Sequence, residues 1–111
     1  MDKISIRKSE IGQFENGLGV FADKNFKKGE TVIVYHLRLL SPKEYKALSP
    51  SEKEFVHRHK RKKYLYSVPE RYVNHSSTPN TYQDLEQQCD IALRNIKMGE
   101  EITTDARKDN L

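Results

Sequence analysis

Apolar and polar residues alternate with period two over much of the chain. Lys3-Ile4-Ser5-Ile6-Arg7 is the first such stretch and predicts a short, half-buried strand over 3–7. Residues 18–22 (Leu-Gly-Val-Phe-Ala) follow a Glu-Asn-Gly turn signal and predict a second. Residues 30–40 alternate longest: Ile33, Tyr35, Leu37 and Leu39 share one face and Val32 and Val34 the other, which predicts one long strand. Short strands are predicted again at 81–85, 90–94 and 101–104, separated by turns such as Met98-Gly99-Glu100.

Two helix starts interrupt this pattern. Ser41-Pro42-Lys43-Glu44 and Ser49-Pro50-Ser51-Glu52 each place Ser at the N-cap, Pro at the first helical position and Glu three residues after the Ser. In such a capping box the Ser hydroxyl and the Glu carboxylate satisfy orphan backbone N–H groups, and proline's fixed φ suits the first turn. The expectation is a short helix at 42–48 and a longer one at 50–62. The longer one would end in His57-Arg58-His59-Lys60-Arg61-Lys62-Lys63, where cations complement the helix dipole. The class is therefore mostly β, with one helical insertion at 41–63.

One internal echo is present. Asn25-Phe26-Lys27-Lys28-Gly29-Glu30-Thr31-Val32 resembles Asn95-Ile96-Lys97-Met98-Gly99-Glu100-Glu101-Ile102. Each copy has an apolar anchor, a two-residue spacer, a glycine for a tight turn and then a strand. Two copies make a reused turn-to-strand device, not a repeat array, which needs at least three.

Length bounds the architecture: 111 residues form one domain with a modest core. Charged residues at 32% make the chain polar, yet six Tyr and four Phe argue against disorder. A net charge of +4 permits phosphate or acidic partners without requiring them. No apolar run approaches the roughly 18 residues needed to span a bilayer, and Met1-Asp2-Lys3-Ile4-Ser5 lacks an apolar signal core. The expected location is inside the cell, cytoplasmic or nuclear, with no membrane partner. The single cysteine, Cys89, excludes an intrachain disulfide and a cysteine-based zinc site, and is expected to be a buried small hydrophobe. His57 and His59, two apart on the expected helix, would not share a face, so no metal site is predicted.

Three motifs carry candidate chemistry. Asn16-Gly17-Leu18-Gly19-Val20-Phe21-Ala22 has two glycines that let backbone approach a ligand, but it lacks the third glycine and the helix of a dinucleotide fingerprint; alone it reads as a hairpin turn. The basic run suits a solvated helix end, or contact with DNA or an acidic protein through Arg58, Lys60, Arg61, Lys62 and Lys63. Arg71-Tyr72-Val73-Asn74-His75-Ser76-Ser77-Thr78-Pro79-Asn80 is too polar for a core strand and alone reads as an Asx-rich loop.

Taken in order, Gly-Leu-Gly-Val-Phe-Ala, Lys-Lys-Gly-Glu, Asn74-His75-Ser76-x-x-Pro79-Asn80 and Gly99-Glu100-Glu101-Ile102-Thr103 resemble the SET domain of protein-lysine methyltransferases. The likeness covers residues 3–106 and is nearest to the short, free-standing bacterial and viral type. It implies that 1–111 is a single SET domain with no pre-SET or cysteine-rich post-SET module. It also implies several small sheets and a C-terminal pseudoknot that brings 99–106 against 73–77.

The resemblance implies S-adenosylmethionine as cofactor and a lysine of a protein, such as a histone or basic chromatin protein, as substrate. Cofactor contacts would come from Asn16, Gly17, Leu18, Gly19, Tyr64, Arg71, Asn74 and His75. Tyr64, Tyr66 and Tyr72 would line the substrate channel. The family's usual C-terminal tyrosine, a catalytic group, falls on Ala106. Loss of one pre-aimed hydroxyl implies a rate loss on the order of 10²–10³. Three accounts stay open: an engineered change, a natural loss that leaves a silent module binding cofactor or peptide, or a hydroxyl supplied by Tyr64, Tyr66 or Tyr72. Because only Arg107–Leu111 follow, a second copy of the chain or the substrate would finish the channel wall. Glu100 and Glu101 could serve as acid/base carboxylates, but a structural role is expected: one in the turn, the other on backbone groups of the pseudoknot.

Overall fold

The structure, a computed structural model, describes residues 3–11 and 17–105. The strands β1 (Ile4–Lys8) and β2 (Leu18–Ala22) form where the alternation predicts them, and pair antiparallel with Ile6 opposite Val20. β3 (Thr31–Val34) and β4 (Arg38–Leu40) follow, then α1 (Pro42–Ala47) and α2 (Pro50–Lys53). β5 (Val56–His59) and β6 (Lys62–Leu65) make a hairpin, and a 3-10 turn covers Glu70–Tyr72. β7 (Asn74–His75), β8 (Thr81–Asp84), β9 (Cys89–Ala92) and β10 (Glu101–Thr104) complete the described chain. Among the described residues no helix is long and apolar enough to cross a membrane.

Three small sheets result, ordered β1-β2-β10-β7, β3-β9-β8 and β4-β6-β5. One core cluster gathers Ile4, Val20, Phe26, Ile33, Ile96 and Ile102 between the first two sheets. A second collects Leu40, Phe55, Leu65 and Tyr66 under the third sheet, and Leu37 and Tyr72 touch both clusters. Cys89 is buried, and burial raises its thiol pKa, with Asp84 and Asp90 adding to the shift.

Two expectations need correction. The long strand over 30–40 is two strands in two sheets. A bulge between Thr31 and Ile33 turns both Val32 and Ile33 inward and leaves Val34 61% exposed, so the predicted faces do not hold. After Val34 the chain leaves β9: the His36 N–H donates to Glu70 Oε2 at 2.7 Å, and only from Arg38 does the chain pair with β6. Leu39, expected on one face with Ile33, is 52% exposed while Ile33 is buried.

The helix over 50–62 is a single turn. Ser49 caps it as expected, its hydroxyl accepting from the Glu52 N–H at 3.3 Å. Between residues 50 and 62 only Phe55 and Val56 are apolar, so a helix of that length would have no stripe to bury. The hairpin instead seats Phe55 and Leu65 against Leu40. The helical part of the 41–63 insertion therefore ends at Lys53. The cations at 58–63 belong to a β-ribbon and complement no helix dipole. His57 and His59 lie on one strand, where alternate residues share a face; both rings approach Tyr66, with centroids 4.2 and 5.9 Å away. The shorter helix at 42–47 forms with its full capping box.

Candidate functional site

The site begins with β10. It pairs antiparallel with β2 on one side and parallel with β7 on the other, with Thr103 opposite Asn74 and Thr104 opposite His75. The Ser76 N–H also donates to the Thr104 carbonyl at 2.9 Å. The C-terminal segment thus lies against the Asn-His-Ser loop, as the pseudoknot expectation requires.

Asn80 holds this arrangement. Its Nδ2 donates to the Glu101 carbonyl and its Oδ1 accepts from the Thr103 N–H, both at 2.8 Å, so one side chain acts as a short strand beside β10. Thr81 Oγ1 donates to the Thr103 carbonyl at 2.7 Å. Asn80 and Thr81 are almost fully buried, where paired backbone groups matter most.

Asn74 is fully buried. Its Nδ2 donates to Glu101 Oε2 at 2.8 Å, and lies 3.1 Å from both the Leu18 carbonyl and Ser9 Oγ. Ser9 Oγ in turn donates to Glu101 Oε1 at 2.6 Å. Gly19 floors the cluster: a Cβ there would lie 2.8 Å from the Ser9 Cβ and nearer still to the Glu101 carboxylate. Every donor position of the Asn74 amide nitrogen is taken, while its Oδ1 is buried with no hydrogen-bond partner among the described residues. A buried acceptor without a donor is costly alone. An ammonium group such as that of S-adenosylmethionine's amino-acid end suits it, so these residues fit that cofactor.

Gly17 has φ +66°, a left-handed conformation natural to glycine, with open space around it. His75 is half-buried, its Nδ1 3.6 Å from Asp105 Oδ1. Arg71 is occupied within the fold: Nε donates to the Tyr66 carbonyl, and both terminal nitrogens grip Glu52 at 3.0–3.1 Å, with the guanidinium 4.3 Å over Phe55. Arg71's hydrogen bonds hold the Glu52 carboxyl below the usual carboxylate range.

The three tyrosines share one core cluster but make different contacts. Tyr64 lines a pocket of about 220 Å³ with Leu37, His59 and Leu85. Tyr66 is buried, and its hydroxyl shares a 2.7 Å hydrogen bond with His59 Nε2. Tyr72 packs edge-on against Phe55 at 5.8 Å. Asn16 and Ala106 lie outside the described residues. A cavity of about 60 Å³ sits at the end of β10, between Thr104, Asp105, Pro79, Gln83 and Leu93.

Sequence reasoning missed Ser9 and did not assign Asn80 a role, although Asn80 closes the same motif as Asn74. Glu100 lies in its turn as expected, accepting from the Lys97 N–H. Glu101 differs: it serves the side chains of Ser9 and Asn74 in place of backbone groups.

A family model, that of the SET domain, matches residues 17–105. Among solved structures the chain is similar to the Plasmodium falciparum protein named "putative histone methyltransferase PFL0690c". The two are 25% identical, the match covers 95% of this chain and 93% of that one, and the TM-score is 0.71. No curated protein matches.

Proposed function

The chain belongs to the SET-domain family, and from that premise we propose that it methylates a lysine of a protein, using S-adenosylmethionine. The observation that carries the reading is the buried, donor-less Oδ1 of Asn74, held beside a threaded β10. The Plasmodium falciparum neighbour supports a histone or another basic chromatin protein as the substrate class. When bound, the cofactor supplies an electrophilic methyl on a sulfonium.

The chain's own residues bind, orient and dehydrate. Glu101, Ser9 and the Leu18 carbonyl fix the Asn74 amide so that Oδ1 is left to accept from the cofactor's ammonium. Backbone at Gly17, Leu18 and Gly19 borders the ligand, and Gly19, with no side chain, lets Ser9 and Glu101 close on Asn74 beside it. His75, on the strand beside Thr104, borders the same ligand, and Tyr64 lines the lysine channel. Arg71 acts at one remove, tying α2 to the 3-10 turn that leads into β7. The attacking amine must be neutral, against a solution pKa of about 10.4. A water-poor channel next to a cationic ligand lowers that value by desolvation and like charge. Alignment of the neutral amine supplies the rest.

Position 106 sets the rate. With alanine there, no hydroxyl from that residue aims the amine, which supports a slow enzyme. The second reading is a silent module that keeps the cofactor and lacks turnover.

Calorimetric titration with S-adenosylmethionine tests the shared premise, and absence of binding overturns both readings. Mass spectrometry of lysine peptides then separates them. Ala106→Tyr is expected to raise methylation on the order of 10²-fold or more; no methylation by either form leaves the silent module.

A further inference from the structure

We propose that the β5–β6 ribbon is a binding surface for the phosphate backbone of duplex DNA. Outside the ribbon each described arginine meets a carboxylate: Arg7 with Asp23, Arg38 with Glu44, Arg71 with Glu52 and Arg94 with Glu100. At the ribbon tip Lys60, Arg61 and Lys62 are exposed and form no ion pair with a described residue.

The tip is also built against its own stability. Lys60 and Arg61 occupy its two central turn positions at φ +50° and +69°. A two-residue hairpin turn with both φ values positive strongly favours Asn-Gly, and long side chains in this region are disfavoured. Local folding thus gains nothing from this choice of turn residues, whereas a polyanion would match the charge that Lys60, Arg61 and Lys62 present.

The base of the ribbon is fixed. β5 and β6 pair from Val56–Leu65 to His59–Lys62, Leu65 is in the core, and His59 is tied to Tyr66. Lys63 Nζ rests 3.7 Å over the Tyr45 ring. The cations are therefore carried on a preset, twisted two-stranded ribbon, a shape the B-DNA major groove admits. Residues 57–63 are all His, Arg or Lys, with no aliphatic, Phe or Tyr side chain among them. A protein interface would call for an aromatic or aliphatic anchor at its centre, so phosphate is the better match. The contact would bring methyl transfer to lysines that lie against DNA, but it does not depend on that reading, and its test reads DNA alone.

The test is fluorescence anisotropy of a short labelled duplex across a salt series, with wild type and Lys60→Asn/Arg61→Gly. The double variant supplies the preferred turn, so its melting temperature should hold or rise. Its affinity should fall roughly tenfold, and the slope of log affinity against log salt should shrink by about 2, near 0.9 for each lost phosphate contact. Affinity and slope equal to wild type would overturn the proposal. So would absence of duplex binding by the wild type at low salt. Equal displacement of the duplex by polyglutamate of matched charge would also overturn it, marking the ribbon as a surface for acidic proteins.

Discussion

Phe26 and Ile96 face each other across the middle of the molecule: each donates its backbone N–H to the other's carbonyl at 2.8 Å, and each side chain is 1% exposed. The exchange is the centre of a pseudo-two-fold clasp made from the two copies of the sequence echo. Asn25 Oδ1 accepts from the Met98 N–H, and Asn95 Oδ1 from the Lys28 N–H. The Gly29 N–H donates to the Ala92 carbonyl, and the Gly99 N–H to the Ala22 carbonyl, all within 2.8–2.9 Å across the four contacts. Lys24 pairs with Glu30, and Arg94 with Glu100. The clasp sends one arm into β3 and the other into β10, so the strand that threads past Asn74 starts from the two largest fully buried side chains of the core.

Truncation at this point should be severe. Phe26→Ala is expected to cost about 3–5 kcal/mol and Ile96→Ala about 2–5 kcal/mol, from lost burial plus the cavity left behind. The double variant should cost less than the sum, because the two side chains share one cluster. Urea denaturation of the four forms checks this, and strict additivity would show that the two copies are energetically independent.

A clasp of this kind is visible in sequence because its parts are local: an Asn, an anchor, a Gly and a Glu at fixed spacing. The strands at 18–22 and 101–104 and both Ser-Pro-x-Glu caps are legible for the same reason. What alternation could not show is where a strand changes partner. Nothing local to Thr31–Leu40 announces the bulge at Thr31/Ile33, or that Glu70, far along the chain, will take the His36 N–H. The 50–62 segment misled because its cap is genuine and its end is not: the cations suit a helix terminus, and only the tertiary need to bury Phe55 and Leu65 decides for the hairpin. In the site, Asn74 was legible as part of a motif, but Ser9 was not, since its role arises from a contact between chain ends.

Gly19→Ala tests the close approach at that site. The added Cβ would meet Ser9 and Glu101, and neither can withdraw without releasing Asn74. Overpacking of this sort costs about 1–3 kcal/mol. The expected result is a lowered melting temperature together with loss of S-adenosylmethionine binding by calorimetry. Unchanged cofactor affinity in a folded Gly19→Ala protein would mean that this cluster does not border the ligand.

Charge and hydrogen-bond direction at Asn74 can be separated by exchange. Asn74→Asp replaces a donor by a carboxylate beside the Glu101 carboxylate, at a place where the wild-type contact is 2.8 Å. Loss of the donor alone costs about 1–3 kcal/mol, and like-charge repulsion adds to it. Glu101→Gln in the same chain restores an amide facing a carboxylate. Thermal melts should therefore rank wild type first, then Asn74→Asp/Glu101→Gln, then Asn74→Asp. A double variant no more stable than Asn74→Asp would show that the pair is not coupled.

Acid should loosen the fold through carboxylates spread over its surface. The Lys24 hydrogen bond holds Glu30 below the ordinary value of 4.5, backbone donation at Ser41 does so for Glu44, the Arg71 hydrogen bonds for Glu52, and the Arg94 hydrogen bond for Glu100. A carboxyl whose folded pKa is lowered binds its proton more tightly when unfolded. Its contribution is complete above the unfolded value of 4.5 and is lost as pH falls below it through the folded value. The melting temperature should thus stay level as pH falls from about 7 to about 5 for these groups and decline toward about pH 3. Arg71→Ala removes the cause of the Glu52 shift and also an arginine packed on Phe55. It should lower the melting temperature at neutral pH and make the decline below pH 4.5 shallower. A parallel downward displacement, with the acid slope of wild type retained, would assign the stabilisation by Arg71 to packing on Phe55 and not to its bond with Glu52.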